Sequence, residues 1–194
     1  MTLQLPPLSL YIHVPWCIRK CPYCDFNSHA QRGELPEAEY VNCLIKDLQD
    51  EARFAQGRTI QSIFIGGGTP SLFSAESYKR LLEQIHQIIP IQADAEITLE
   101  ANPGTFEQDK FEGYHAAGIN RLSIGVQSFN DTQLQKLGRV HNHQEAIKAA
   151  QKARELFPKL NLDLMHGLPG QSTENALQDL QQAISLQPDH LSWY

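Results

Sequence analysis

Cys17, Cys21 and Cys24 fall within the eight residues Cys17-Ile18-Arg19-Lys20-Cys21-Pro22-Tyr23-Cys24. Three thiolates on one short loop can converge on a metal centre, and iron–sulfur clusters take thiolate ligands. A four-iron cluster has four corners, so three cysteines leave one iron open, as a metal site that binds a small molecule requires. Arg19 and Lys20 lie beside the cysteines and would favour the thiolate form. The spacing also suits a zinc knuckle with His29 as its fourth ligand. Cys43 stands apart in a helical stretch, off its apolar stripe, and reads as an ordinary half-buried thiol.

These cysteines must be positioned by a frame, and the sequence shows one. Short apolar runs bounded by Gly, Pro or Asn fall at 8–14, 62–66, 96–101, 121–127, 160–165 and 190–194, as strands buried on both faces should. Amphipathic helical spacing fills the gaps. Pro36 opens a stripe of Val41, Leu44, Ile45, Leu48 and Ala52, which Gly57 stops. Ser74 caps a helix carrying Tyr78, Leu81, Leu82, Ile85 and Ile88, ended by Pro90. Thr105 with Gln108 fits a capping box for a helix closed by Gly118. Asp131 caps a short helix ending near Gly138. Ala146, Ile147, Ala150 and Ala153 line the next. Ser172 precedes the last, with Ala176, Leu177, Leu180, Ala183 and Ile184. Strand and helix alternate five times and end on a sixth strand, which predicts parallel strands with right-handed crossovers in an α/β sheet or barrel.

Ligands of such folds gather at the C-terminal ends of the strands. The unusual residues fall there: Cys17 after the first strand, Gly66-Gly67-Gly68-Thr69-Pro70 after the second, Glu100-Ala101-Asn102-Pro103 at the third, Gln127-Ser128 at the fourth, His166-Gly167-Leu168-Pro169-Gly170 after the fifth. Glycine suits a backbone that must approach a ligand closely, and equally a plain strand–helix turn. A carboxylate such as Glu100 at the end of a buried strand is costly without a partner, which favours a ligand role. The strands number six where a complete barrel has eight, and the sequence stops inside the sixth, so a fragment of a longer protein is expected.

The 194 residues carry 16 Lys plus Arg against 22 Asp plus Glu, a net charge of −6. An acidic chain without a basic run is a poor nucleic-acid binder. No run approaches the ~18 apolar residues of a membrane span, so an integral membrane protein is not expected. No export signal precedes Ser9, and three clustered thiols suit a reducing cytoplasm.

Cys-x3-Cys-x2-Cys with an aromatic before the third cysteine resembles the signature of the radical S-adenosylmethionine (SAM) superfamily. The runs Tyr11-Ile12-His13-Val14-Pro15-Trp16-Cys17, Gly66 to Ser71, Glu100 to Pro103, Ser123 to Phe129, Asn161 to Gly170 and Leu191 to Tyr194 are similar, in order, to the oxygen-independent coproporphyrinogen III oxidase family. The resemblance implies a partial, open-sided (β/α)6 TIM-type barrel over residues 1–194, with a C-terminal domain lying beyond. It implies a [4Fe-4S] cluster on Cys17, Cys21 and Cys24, with SAM on the open iron. Gly67, Gly68 and Thr69 match the glycine motif near the SAM amino group. Tyr11, Tyr23, Glu100, Gln127, Arg139 and Asp163 match SAM contacts. Tyr11 could instead be a packed strand aromatic, and Arg139 a surface partner of a carboxylate. The true oxidases carry a further cysteine two residues after the third, where this sequence has Phe26. Cys24-Asp25-Phe26-Asn27-Ser28 resembles the heme chaperone branch, which implies heme as cargo, heme-accepting respiratory proteins as partners, and a reductant for the cluster. Oxidative decarboxylation of coproporphyrinogen III is the alternative. His13, His141, His143 and His166 could ligate heme iron but read first as structural; no catalytic residue is assigned.

Overall fold

The computed structural model describes residues 4–194, without the side chains of residues 105 and 106. The elements run β1 (Leu8–Val14), β2 (Trp16–Cys17), β3 (His29–Ala30), α1 (Glu37–Glu51), β4 (Ile60–Gly67), α2 (Ala75–Ile88), β5 (Ile91–Ala101), α3 (Thr105–Gln108), α4 (Phe111–Ala116), β6 (Arg121–Gln127), α5 (Asp131–Lys136), α6 (His143–Leu156), β7 (Lys159–Leu164), α7 (Thr173–Ser185) and β8 (His190–Trp193). Six strands form one sheet in the order β1-β4-β5-β6-β7-β8, every neighbour parallel. Strand order follows chain order and the end strands do not pair with each other, so the sheet is a partial barrel with an open side, as expected. Among the described residues no helix is long and apolar enough to cross a membrane.

The central strands are buried on both faces, Ser123, Gln127 and Asn161 included, but the two faces differ in chemistry. Leu122, Ile124 and Val126 of β6 and Leu160, Leu162 and Leu164 of β7 are fully buried and join the core with Ala146, Ala149, Ala150 and Ala153 of α6. The residues between them are polar or small: Arg121, Ser123, Gly125 and Gln127 on β6, Asn161 and Asp163 on β7. Period-2 alternation therefore sends leucine and isoleucine to the helices and polar groups to the concave face. Ser123 Oγ donates to Asp163 Oδ2 at 3.0 Å and Asn161 Nδ2 to Asp163 Oδ1 at 2.8 Å across that face. A polar concave face is what a ligand cleft needs.

Most helix ends follow their caps. Ser74 accepts from Ser77 N, and Ser172 from Asn175 N. Asn142 and Glu145 form a reciprocal capping box on α6 that the sequence analysis did not assign. Several expectations need correction. The cap of α5 is Asn130, whose side chain accepts from Gln133 N, and Asp131 sits one position inside. The stretch from 105 to 118 is two short helices, α3 and α4, and the Thr105 half of the expected capping box lies outside the described residues. Pro36 precedes α1 as its cap position. Cys43 is exposed, not half-buried. On α7 only Ala183 of the expected stripe is fully buried, while Leu177 and Ile184 are exposed; α7 instead buries Asp179, which accepts from Ser128 Oγ at 2.6 Å and Phe129 N at 2.8 Å.

Candidate cofactor site

The cysteine loop is held at both ends by backbone. A two-residue parallel ladder pairs Trp16 with His29 and Cys17 with Ala30, so residues 18–28 form a closed loop beyond β1. His29 N donates to Pro15 O and Gln31 N to Cys17 O, each at 2.7 Å. Lys20 Nζ donates to Phe26 O and Ser28 O, so its ammonium braces the loop from within and is not turned to the thiols. This miniature ladder was not legible in the sequence, because two-residue strands carry no periodicity.

The glycine loop after β4 is stitched to the same segment. Gly68 N donates to Val14 O and Thr69 N to Trp16 O, both at 2.7 Å. A Cβ on Gly68 would lie 2.5 Å from Trp16 O, so the two backbones approach more closely than any side chain allows. Gly67 adopts φ +117°, in the region that favours glycine, and packs against the His13 ring. His13 itself is shared: Tyr11 Oη lies 2.8 Å from its Nδ1, and its Nε2 lies 2.8 Å from Asn27 O. A carbonyl only accepts, so the proton sits on Nε2 and Tyr11 donates to Nδ1.

One cleft of about 740 Å³, open to solvent, is lined by Cys17, Cys21, Cys24, Tyr23, Gly67, Gly68, Thr69, Glu100, Gln127, Arg139 and Asp163. Eleven of the twelve residues singled out from the sequence therefore share one wall. Tyr11 does not line it: its ring is largely exposed and stacks on Phe64 at 6.3 Å. The cleft adds Asn102, Ser123 and Tyr194, to which the sequence analysis gave no role. Tyr194 Oη donates to Gln127 Oε1 at 3.0 Å. Gln127 has φ +69°, an unfavourable value for a side-chain-bearing residue, at the irregularity that ends the β6–β7 ladder. Of the histidines, His141 is buried with Nε2 3.1 Å from Val126 O, and burial with the nearby Arg139 charge pulls its pKa down to about 4. His143 pairs with Asp131 at 2.8 Å, and His166 packs on Trp193.

Three observations bear on what the cleft can hold. The three thiols share its wall, but among the described residues no three His, Cys, Asp or Glu side chains are gathered tightly enough to share a single metal ion. His29, the fourth ligand of the zinc knuckle considered above, is exposed on β3. Arg139 Nε is buried without a partner, an orphaned donor ready for an anionic group. Glu100 accepts from Gly67 N at 3.2 Å, and burial, offset by that bond and reinforced by Asp163, pushes its pKa up to about 7.

The Glu100 shift has a measurable sign. Its folded pKa lies above the unfolded value of 4.5, so its protonated form is favoured by the fold. Its contribution is fully present below pH 4.5 and is lost as pH rises towards 7 and beyond. Glu100→Gln, neutral throughout, is expected to melt higher than the unsubstituted ligand-free chain at pH 8, by up to roughly 3 kcal/mol, and alike at pH 4.5. Thermal unfolding of both proteins between these pH values checks this; parallel curves would refute it.

The pattern of the radical SAM superfamily matches residues 11–183. The heme chaperone HemW of Escherichia coli is 59% identical over 193 residues, covering 99% of this chain and 51% of its own length. The mouse mitochondrial radical S-adenosyl methionine domain-containing protein 1 is 43% identical over 187 residues, 96% of this chain and 42% of its own length. The solved structure of coproporphyrinogen III oxidase (HemN) from Escherichia coli, a radical SAM enzyme, superposes with a TM-score of 0.87 at 34% identity, covering 96% of this chain and 43% of that one. The chain spans about half the length of the curated relatives it matches. With one parallel sheet, a three-cysteine loop after its first strand and a glycine loop bonded to it, the chain belongs to the radical SAM superfamily.

Proposed function

We propose that residues 1–194 are the radical SAM core of a heme chaperone that carries a [4Fe-4S] cluster and SAM, binds heme as cargo and passes it to respiratory proteins in the cytoplasm. The observation that supports this above the oxidase alternative is Phe26. It is 61% exposed at the rim of the cleft, where the resembled oxidases carry a further cysteine, and the heme chaperone named above is 59% identical to this chain against 34% for the oxidase.

Cys17, Cys21 and Cys24 hold the cluster in this reading, and a reductant supplies its electron. When bound, the cluster supplies low-potential electrons and an open iron for SAM. Gly67, Gly68 and Thr69 offer backbone and hydroxyl groups to the SAM amino end. Glu100 with its raised pKa and Asp163 bring carboxyl groups to the cleft, where a cationic ligand would draw Glu100 back to its charged form. The buried Arg139 Nε is a donor for a carboxylate. Tyr23 and Gln127 close the wall. Tyr11, outside the cleft, contacts SAM only by swinging its exposed ring from His13.

Heme titration of the full-length, anaerobically reconstituted protein tests the reading. A saturable shifted absorbance band at about one heme per chain is the expected result. The absence of saturable binding, with coproporphyrinogen decarboxylated in the presence of SAM and reductant, would replace the chaperone by the oxidase.

A further inference from the structure

Asn102 follows directly after β5, in the run Glu100-Ala101-Asn102-Pro103, and the reading above gives it no role. Its side chain is spent in two directions. Oδ1 accepts from Arg139 Nη2 at 2.6 Å, and Nδ2 donates to Thr69 Oγ1 at 3.2 Å. A guanidinium has no acceptor, so the amide can face only this way round. Its backbone N lies 3.4 Å from Ser71 Oγ, which holds the same residue against the glycine loop from a second side.

Arg139 is gathered just as closely. It follows α5 through Gly138, at φ +70°, and its backbone N donates to Leu134 O at 2.9 Å. The side chain crosses the cleft. Nη2 donates to Gly125 O at 2.8 Å as well as to Asn102, and Nη1 lies 3.6 Å from Cys21 Sγ, within hydrogen-bond reach for sulfur. A planar fork pinned at Nη2 by two acceptors cannot rotate freely, so Nη1 is aimed at the sulfur. The two acceptors differ in kind. Gly125 O is fixed by the sheet, whereas Asn102 Oδ1 moves with the glycine loop through Thr69.

We propose that Asn102 is a positioning residue that aims the Arg139 guanidinium at the Cys21 sulfur and couples that aim to the glycine loop. This rests on the reading that Cys21 ligates a cluster. A hydrogen bond from a cation to a ligating sulfur stabilises the more negative, reduced form and so raises the reduction potential. Asn102 thereby sets how readily the cluster is reduced, without touching it.

The test is an EPR-monitored redox titration of the anaerobically reconstituted full-length protein, with iron and sulfide measured first. Asn102→Ala and Arg139→Gln are each expected to keep the cluster and to shift its midpoint to more negative potential. The double variant is expected to shift no further than Arg139→Gln alone, because the Asn102 effect travels through Arg139. An unshifted midpoint in Asn102→Ala, or shifts that add in the double variant, overturns the proposal. Where Asn102→Ala does not load iron, Asn102→Ser is read the same way, since it offers Thr69 a hydroxyl but cannot reach Arg139. Failure of both to load also overturns it, because Asn102 would then hold the loop together and not aim a cation. An unsubstituted protein without iron and sulfide defeats the cluster reading itself, whereas a loaded protein with indifferent variants defeats only this inference.

Discussion

Replacing Cys17, Cys21 or Cys24 singly with alanine is expected to leave a folded protein that no longer retains a cluster. The three sulfurs line one cleft, and none belongs to the packed apolar core: Cys21 and Cys24 are half-buried, and Cys17 is buried but lies outside the core cluster. The loop that bears them is held by backbone hydrogen bonds and by Lys20, and these survive the substitution. Groups that merely support a metal ligand are worth 10–100-fold in metal affinity, so losing one of three ligands should lower bound iron at least about tenfold. Cys43→Ala is the control, being exposed on α1 far along the chain from the loop. Iron and acid-labile sulfide per chain after reconstitution decide the matter, with thermal unfolding alongside to confirm the fold. Full iron content in all three variants would remove the cluster reading, and with it the role given to Arg139.

The site was legible in the sequence to the extent that strand ends were. Once six strands were placed within a few residues of their observed positions, the rule that ligands gather at their C-terminal ends brought Glu100, Gln127 and the glycine loop together with the cysteines, and the resemblance added Asp163. What escaped was carried by tertiary partners. Tyr11 sits on the first strand beside the cluster loop, but period 2 cannot show that its hydroxyl turns to His13. Asn102 stood among the strand-end residues without a role of its own, because its two side-chain bonds join residues 33 and 37 positions away. Leucine-rich runs such as Leu160-Asn161-Leu162-Asp163-Leu164 do mark a strand buried on both faces, with Asn161 buried, but periodicity alone could not show that Asp163 lines the cleft; the resemblance supplied that. The α7 stripe also failed: helical spacing marks Leu177 and Ile184 as a buried face, yet both are exposed.

Gly68→Ala is expected to be the most damaging single methyl that can be added near the cleft. The new Cβ would stand 2.5 Å from Trp16 O and 2.9 Å from the carbonyl carbons of Pro15 and Trp16, all backbone atoms that cannot turn aside. Relief requires the glycine loop and the start of the cysteine loop to part, which breaks Gly68 N to Val14 O and Thr69 N to Trp16 O. Overpacking of this kind costs roughly 1–3 kcal/mol, and two lost backbone bonds add about 1 kcal/mol each. The sum lowers the melting temperature by roughly 10 °C in a domain of this size. Because the same movement displaces Cys17, iron retention should fall with it. Gly57→Ala separates space from conformation. Gly57 has φ +77° but nothing within 4 Å of an added Cβ, so it should cost only the roughly 1 kcal/mol of a left-handed alanine and keep its iron. Gly66→Ala separates backbone from side chain, since its Cβ would meet the Phe64 ring and the Glu100 carboxylate, both of which can move. A graded loss, with Gly68 worst and Gly57 mildest, would mean that this glycine run is there first to let two loops touch, and that a ligand bound beside it inherits the close approach. Equal tolerance at all three positions would mean that the stitch between the loops is slack, and that the cysteines are held by their own two-residue ladder alone.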